Sequence, residues 1–365
     1  MIPYKKLLRD IKTYEAGKPI ELVVREFGID AKDVVKLASN ENPIGTSPIV
    51  KQAIIDNASK AHLYPDDSMF ELKNTLASRF DVEDDNIIIG AGSDQVLEFI
   101  SRIVLDENSS VLMSGVTFAM YSIYAKQMGA KVLNTMHYEH HYEEFMEAYT
   151  MCKPKIVYIC TPNNPTGDAT SKKEVIKLIE AIGKDCIIVV DCAYMEYAAA
   201  KDKKYKITPN DLLGYENVIY LGTFSKAYGM GGMRVGYGIA QKELISELYK
   251  MRPPFNISSV SLACAIKACQ DDVFVAKSIT LHQEQIKRYE AFAKEVGFSY
   301  IESYTNFITY TFDETMNSTK IANDLLKRGV IIRDLASYKM NAIRITIGTQ
   351  KQNDTFFRHF KEVLA

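Results

Sequence analysis

Lys226 lies in the run Leu221-Gly222-Thr223-Phe224-Ser225-Lys226-Ala227-Tyr228-Gly229-Met230-Gly231-Gly232-Met233-Arg234, directly after Asn217-Val218-Ile219-Tyr220. A strand that empties into a turn of hydroxyls, glycines, one lysine and one arginine offers a phosphate backbone N–H groups, two hydroxyls and a guanidinium. The lysine amine is then free for covalent work. Arginine cannot take that role, because the amine must lose a proton and the guanidinium effectively never does. Taken alone, Lys226 is one of 44 lysines and arginines, and a solvent-facing side chain is the commoner fate of a lysine in so short a motif.

Other turns carry comparable chemistry. Gly90-Ala91-Gly92-Ser93-Asp94 follows the apolar run Ile87-Ile88-Ile89, but Gln95 stands where a dinucleotide fingerprint needs its third glycine. What remains is either a helix N-terminus whose free N–H groups suit one phosphate, or an ordinary strand-to-helix turn. No G-x-x-x-x-G-K-[ST] occurs, so P-loop chemistry has no support. Thr161-Pro162-Asn163-Asn164-Pro165-Thr166-Gly167 is a rigid turn able to hold an asparagine amide against a ring or carboxylate. Asp191 closes the apolar run 187–190, where an aspartate either caps a helix or serves a ligand, and Tyr194 follows three residues on. An acid for a pyridinium nitrogen, a phosphate cradle, a lysine amine and a positioning asparagine are the parts that pyridoxal phosphate requires.

The elements that must position these residues read as an α/β fold, a mostly parallel sheet flanked by helices with a smaller α+β domain. Apolar runs expected as strands start near residues 86, 111, 131, 156, 187, 217 and 235, with helical periodicity between most of them. Ser171 and Glu174 form a capping box that opens a helix to Ile182. Residues 258–296 read as one or two long helices, and 306–364 as strand, helix, two strands and helix. The expected organisation is an N-terminal arm (1–30) packing on the small domain or a partner, a large cofactor-binding domain (31–257), and a small domain (258–365). Ligands of such sheets gather at the carboxyl ends of the strands, where the motif-bearing turns fall.

Composition excludes several classes. A chain of 365 residues exceeds the size at which one core keeps growing, and 47% apolar with 25% charged residues is ordinary globular composition. The net charge of −2 and the lack of a basic block give no support for nucleic-acid binding. Six cysteines without a C-x-x-C pair read as reduced thiols, and no apolar run reaches the length of a membrane span. With no secretory signal at the start, a cytoplasmic location is expected. His140-His141 is not expected to bind metal, because adjacent helical residues diverge and no H-E-x-x-H is present.

The ordered set Asn40-Glu41-Asn42-Pro43, Tyr64-Pro65-Asp66, Gly92-Ser93-Asp94, Asn163-Asn164-Pro165-Thr166-Gly167, Asp191-Cys192-Ala193-Tyr194, Ser225-Lys226-Ala227-Tyr228-Gly229 with Arg234, Arg252-Pro253-Pro254-Phe255-Asn256, and Arg344-Ile345-Thr346-Ile347-Gly348-Thr349 resembles the histidinol-phosphate aminotransferases, fold-type I enzymes. The resemblance covers essentially the whole chain. It implies pyridoxal 5'-phosphate as cofactor, with Lys226 as Schiff-base lysine and proton shuttle, Asp191 at the pyridinium nitrogen, and Tyr194 with Asn164 at the ring hydroxyl. By the same resemblance Phe118 would stack on the ring, and Gly92, Ser93, Asp94, Thr223, Ser225 and Arg234 would hold the phosphate. Tyr64 would reach in from the second subunit of a homodimer. Arg344 would grip the anionic end of the substrate, with Arg333, Tyr14 and Asn164 nearby. The implied reaction exchanges histidinol phosphate and 2-oxoglutarate with imidazole-acetol phosphate and glutamate. Aromatic amino-acid transamination, phosphothreonine decarboxylation and a non-catalytic binding protein of the same fold are the competing readings. Cys192 and Gln95 depart from the family, which usually has glutamate at both places.

Overall fold

A computed structural model of the chain describes residues 19–365 together with Ile2, Tyr4, residues 6–11 and Thr13. Its strands along the chain are β1 (Val35–Lys36), β2 (Ile87–Gly90), β3 (Ser110–Met113), β4 (Lys131–Asn134), β5 (Ile156–Cys160), β6 (Ile187–Asp191), β7 (Val218–Thr223) and β8 (Gly236–Ile239). They continue with β9 (Ser299–Ile301), β10 (Phe307–Thr311), β11 (Val330–Ile331), β12 (Arg333–Asp334) and β13 (Ala342–Thr346). The seven-stranded sheet has the order β2-β8-β7-β6-β5-β3-β4. Its strands are parallel from β7 through β4, and β8 runs antiparallel to both of its neighbours.

Burial on both faces explains the near-continuous apolar strands. Because side chains alternate along a strand, Val157, Ile159, Ile188, Val190 and Tyr220 join one core, and Ile156, Tyr158, Val189, Ile219 and Leu221 join the other. The helix over Lys172–Ala181 begins as its sequence dictates. Ser171 Oγ accepts from the Glu174 N–H, and the Glu174 carboxylate accepts from the Ser171 N–H.

The expected long helical segment is two helices, Ser259–Ala268 and Asp272–Val296, each opened by a side-chain cap from Ser258 or Asp271. A second sheet, β12-β13-β10-β9, is antiparallel throughout. Ile308, Tyr310, Ile343 and Ile345 pack with Tyr289, Phe292, Phe356 and Phe360 in a separate core. The intervening residues of the same strands, Phe307, Thr309, Arg344 and Thr346, therefore face the other way, toward the large sheet. Phe307 meets Tyr194 edge to face, and Thr309 Oγ1 donates to the Pro165 carbonyl at 2.6 Å. The sequence over 330–333 divides between two sheets, since β11 pairs in parallel with β1 while β12 joins β13. The helix Ile20–Phe27 buries Val23 against Val34, Ala38, Leu326 and Ile331. No helix among the described residues is long and apolar enough to cross a membrane.

The helix Ser93–Val104 is seated directly on β8. A Cβ at Gly236 would lie 2.1 Å from the Ser93 nitrogen and 2.5 Å from the Gly92 carbonyl carbon, so backbone meets backbone there. Gly236→Ala is predicted to lower the unfolding free energy by about 1–3 kcal/mol through overpacking, measured by urea denaturation. An unchanged urea midpoint would show that this contact does not set the position of the helix.

Candidate functional site

The carboxyl ends of β5, β6 and β7 lie side by side, with Cys160 in register with Asp191 and Asp191 in register with Leu221. A cavity of about 250 Å³ opens there. Its lining includes Gly92, Ser93, Asp94, Phe118, Asn164, Asp191, Tyr194, Thr223, Ser225, Lys226 and Arg234, so eleven residues expected from separate motifs meet around one cavity.

Asp191 is buried at the cavity floor. Its Oδ2 accepts from the Tyr121 hydroxyl at 2.7 Å, and its Oδ1 accepts from the Ala193 N–H at 3.1 Å. Burial raises its pKa, opposed by these hydrogen bonds. Tyr121 is itself fully buried and stacked on Tyr158 at 4.3 Å, which fixes the hydroxyl donor. A carboxylate so placed is completed by a cation entering from the cavity.

Also in the lining, the helix Ser93–Val104 presents its first N–H groups, preceded by Gly92 at φ 78°. A side chain at Gly92 would collide with Arg234, whose Nη2 lies 2.6 Å from where a Cβ would be. Arg234 Nη1 donates to Ser225 Oγ at 3.5 Å and to the Gly231 carbonyl at 3.1 Å. Thr223 Oγ1 donates to Ser225 Oγ at 3.1 Å and accepts from the Ser225 N–H at 3.2 Å. Helix N–H groups, two hydroxyls and a guanidinium around a glycine-lined hollow suit a phosphate dianion. Asp94 turns aside, its Oδ2 accepting from the Tyr124 hydroxyl at 3.1 Å.

Lys226 lines the same cavity, close enough to Arg234 and Asp191 to feel the charge of both. Asn42 Nδ2 donates to the Lys226 and Ala227 carbonyls at 3.4 and 3.0 Å, and Gly229 N–H donates to the Lys226 carbonyl at 3.1 Å. The backbone of the lysine turn is thereby held while its amine faces the cavity, 5.7 Å from the Tyr194 ring centre. Burial, with the positive charges of Arg344 and Arg234, brings the amine pKa down to about 8. Tyr194 is buried and its hydroxyl accepts from Asn40 Nδ2 at 2.8 Å.

Arg344 is buried behind this wall rather than on it. Its Nη2 donates to the Ala38 carbonyl at 2.8 Å and its Nη1 to Asn164 Oδ1, so the guanidinium is already oriented beside the cavity. Arg333 stands opposite Arg344 in the β12–β13 register, and their side chains leave the sheet on the same face. It lines an adjoining cavity of about 750 Å³, which shares Phe118 with the first. Tyr14 lies outside the described residues. Tyr64 does not enter the cavity of its own chain. It is 83% exposed and packs on Phe255 at 4.8 Å.

Several site-shaping residues carry no role in the motif reading. Asn40, Asn42 and Tyr121 are examples, and so is Asn163, whose amide donates to the Val116 carbonyl at 2.8 Å and accepts from Thr117 Oγ1 at 2.8 Å. The hydrogen bond from Asn163 ties the turn that carries Asn164 to the loop that carries Phe118. Both departures from the family find a place. Gln95 Oε1 accepts from the Ala91 N–H and from Asn256 Nδ2, each at 2.8 Å, which needs an acceptor oxygen and no charge. Cys192 is buried in the core beside Tyr220, where a small apolar side chain suffices.

The sequence pattern of the aminotransferase class I and II family matches residues 32–360. The chain is 74% identical over 362 residues to the histidinol-phosphate aminotransferase of Sulfurovum sp. (strain NBC37-1), covering 99% of this chain and all of that one. It is 56% identical to the enzyme of the same name from Sulfurimonas denitrificans, over 97% of this chain and 98% of the relative. The crystal structure of histidinol-phosphate aminotransferase from Sinorhizobium meliloti in complex with pyridoxal-5'-phosphate superposes with a TM-score of 0.89 at 25% identity, covering 99% of this chain and 97% of the other. A lysine amine between a buried carboxylate and an anion cradle, on this sheet and with these relatives, places the chain in the class I and II aminotransferase family, among the histidinol-phosphate aminotransferases.

Proposed function

We propose that the chain moves the amino group of histidinol phosphate to 2-oxoglutarate, giving imidazole-acetol phosphate and glutamate in histidine biosynthesis, with pyridoxal 5'-phosphate as cofactor. The observation that carries this reading is the single cavity joining Asp191, Lys226 and the Ser93/Ser225/Arg234 cradle. The cofactor supplies an electron sink for the pair left when a proton leaves the substrate's α-carbon. The residues of the chain do the rest. Asp191 stabilises positive charge at the ring nitrogen, and Tyr194 and Asn164 hold the ring hydroxyl. Phe118 covers one face of the ring, for which only an aromatic face is needed.

Lys226 would be the covalent anchor of the cofactor, and its free amine would serve as the base and acid that carries the proton. An amine titrating near 8 serves both directions close to neutral pH. Arg344, with Arg333 and Tyr14, receives the anionic end of each substrate. A guanidinium fork pairs with a phosphate monoester and with a carboxylate alike, which suits one site that takes both.

A homodimer and a cytoplasmic location complete the proposal. The exposed Tyr64 packs on Phe255, with the exposed Leu63 and Phe70 near it in sequence, in a region fixed by Arg252, which donates to both Asp67 carboxylate oxygens at 2.8 Å. This braced apolar surface supports docking of a second copy, to which Tyr64 would contribute. The six free cysteines are compatible with a reducing compartment.

Two outcomes are expected. Among histidinol phosphate, phenylalanine, tyrosine and O-phosphothreonine, the holoenzyme is predicted to turn over histidinol phosphate with the highest kcat/KM, and Lys226→Ala to lose activity by about 10³-fold or more while remaining folded. Preference for an aromatic amino acid, or an active Lys226→Ala variant, contradicts the assignment. The rate at which apo-protein captures the cofactor should also rise with pH up to about 8 and level off above it, because only the neutral amine attacks. A stopped-flow rate that keeps climbing toward pH 10 would contradict the lowered lysine pKa.

A further inference from the structure

The segment from β4 into the helix Tyr142–Cys152 brings together donors that the transamination site does not use. His140 and His141 diverge. His140 is buried, paired with Thr170 Oγ1 at 3.0 Å, while His141 is exposed at the helix N-cap. His141 instead meets His137, with ring centres 5.2 Å apart, and both rings turn Nδ1 toward Glu144. One donor atom from each of His137, His141 and Glu144 lies within 4.8 Å of the other two.

Glu144 is the fixed member of the group. Its Oε2 accepts from the Met136 and His137 N–H groups at 2.9 and 3.2 Å, which leaves Oε1 aimed at the two rings. His141 Nδ1 stands 3.3 Å from that oxygen. Ligands bound 2.0–2.1 Å from a tetrahedral ion are about 3.3 Å apart, so this edge has the required length already. His137, now paired directly with Oε1, reaches the same geometry by small rotations of an exposed side chain.

We propose that His137, His141 and Glu144 form a site for a divalent transition-metal ion of the zinc class, with water in the remaining position. Two imidazoles and one carboxylate suit zinc, nickel or cobalt and disfavour magnesium and calcium, which take oxygen ligands. The two backbone bonds to Oε2 supply the outer support that orients a ligating carboxylate. The ion would staple the 135–141 loop to the first turn of the helix Tyr142–Cys152. That loop rests on Gly115, whose N–H donates to the His137 carbonyl at 2.8 Å, three residues before Phe118 of the cofactor cavity.

Isothermal titration calorimetry of the holoenzyme with Zn²⁺ tests the site, in a Cys152→Ser background that removes the exposed thiol. One ion per chain is expected. The affinity should fall by about tenfold or more in His141→Ala and in Glu144→Gln, and be unchanged in His62→Ala. Absence of saturable zinc binding, or equal affinity in parent and His141→Ala, overturns the proposal.

Discussion

A carboxylate with little access to water governs this architecture. Asp191 ends a strand whose four preceding residues are apolar, the last three of them buried, and its partners are a tyrosine hydroxyl and one backbone N–H. Both are neutral, so the charge is oriented without being cancelled, and burial works against it. The open side of Asp191 is the cavity, and a cation there completes the pair. The same cavity is lined by Lys226 and by Ser93, Ser225 and Arg234, so a buried carboxylate, an amine and an anion cradle share one hollow.

The fold supplies each pole by a different device. Parallel strands deliver Cys160, Asp191 and Leu221 to one sheet edge in register. The antiparallel β8 has glycine at position 236, which lets the Ser93 helix approach closely enough to aim its N–H groups at the cavity. In the smaller sheet, alternation puts Ile343 and Ile345 in its own core and Arg344 between them on the other face, where its guanidinium holds Asn164 of the cavity lining. Desolvation and two nearby guanidinium groups then bring the Lys226 pKa down to about 8.

What the sequence revealed divides along contact distance. The Lys226 turn, the Gly92 turn and the Asp191 strand end are local patterns, and each of the seven large-sheet strands announces itself by an apolar run. Asn40 is different. It meets Tyr194 across 154 residues and Thr346 across 306, and no local periodicity encodes either contact. Tyr121 reads as one aromatic on a helix until Asp191 is placed beneath it. The two-residue strand β1 is too short to carry an alternation, so its pairing with β11 and the division of 330–333 between sheets were not legible. His140-His141 shows the same limit, since the partner of His141 is His137, defined by the turn into the helix rather than by adjacency.

Everything above converges on one bond, between the cofactor and Lys226 in the cavity that Asp191 also lines. Borohydride reduction of the holoprotein, followed by proteolysis and peptide mass spectrometry, locates that bond directly. A single pyridoxyl adduct is expected, on the peptide carrying Lys226. An adduct on any other lysine, or none in protein saturated with cofactor, would contradict it.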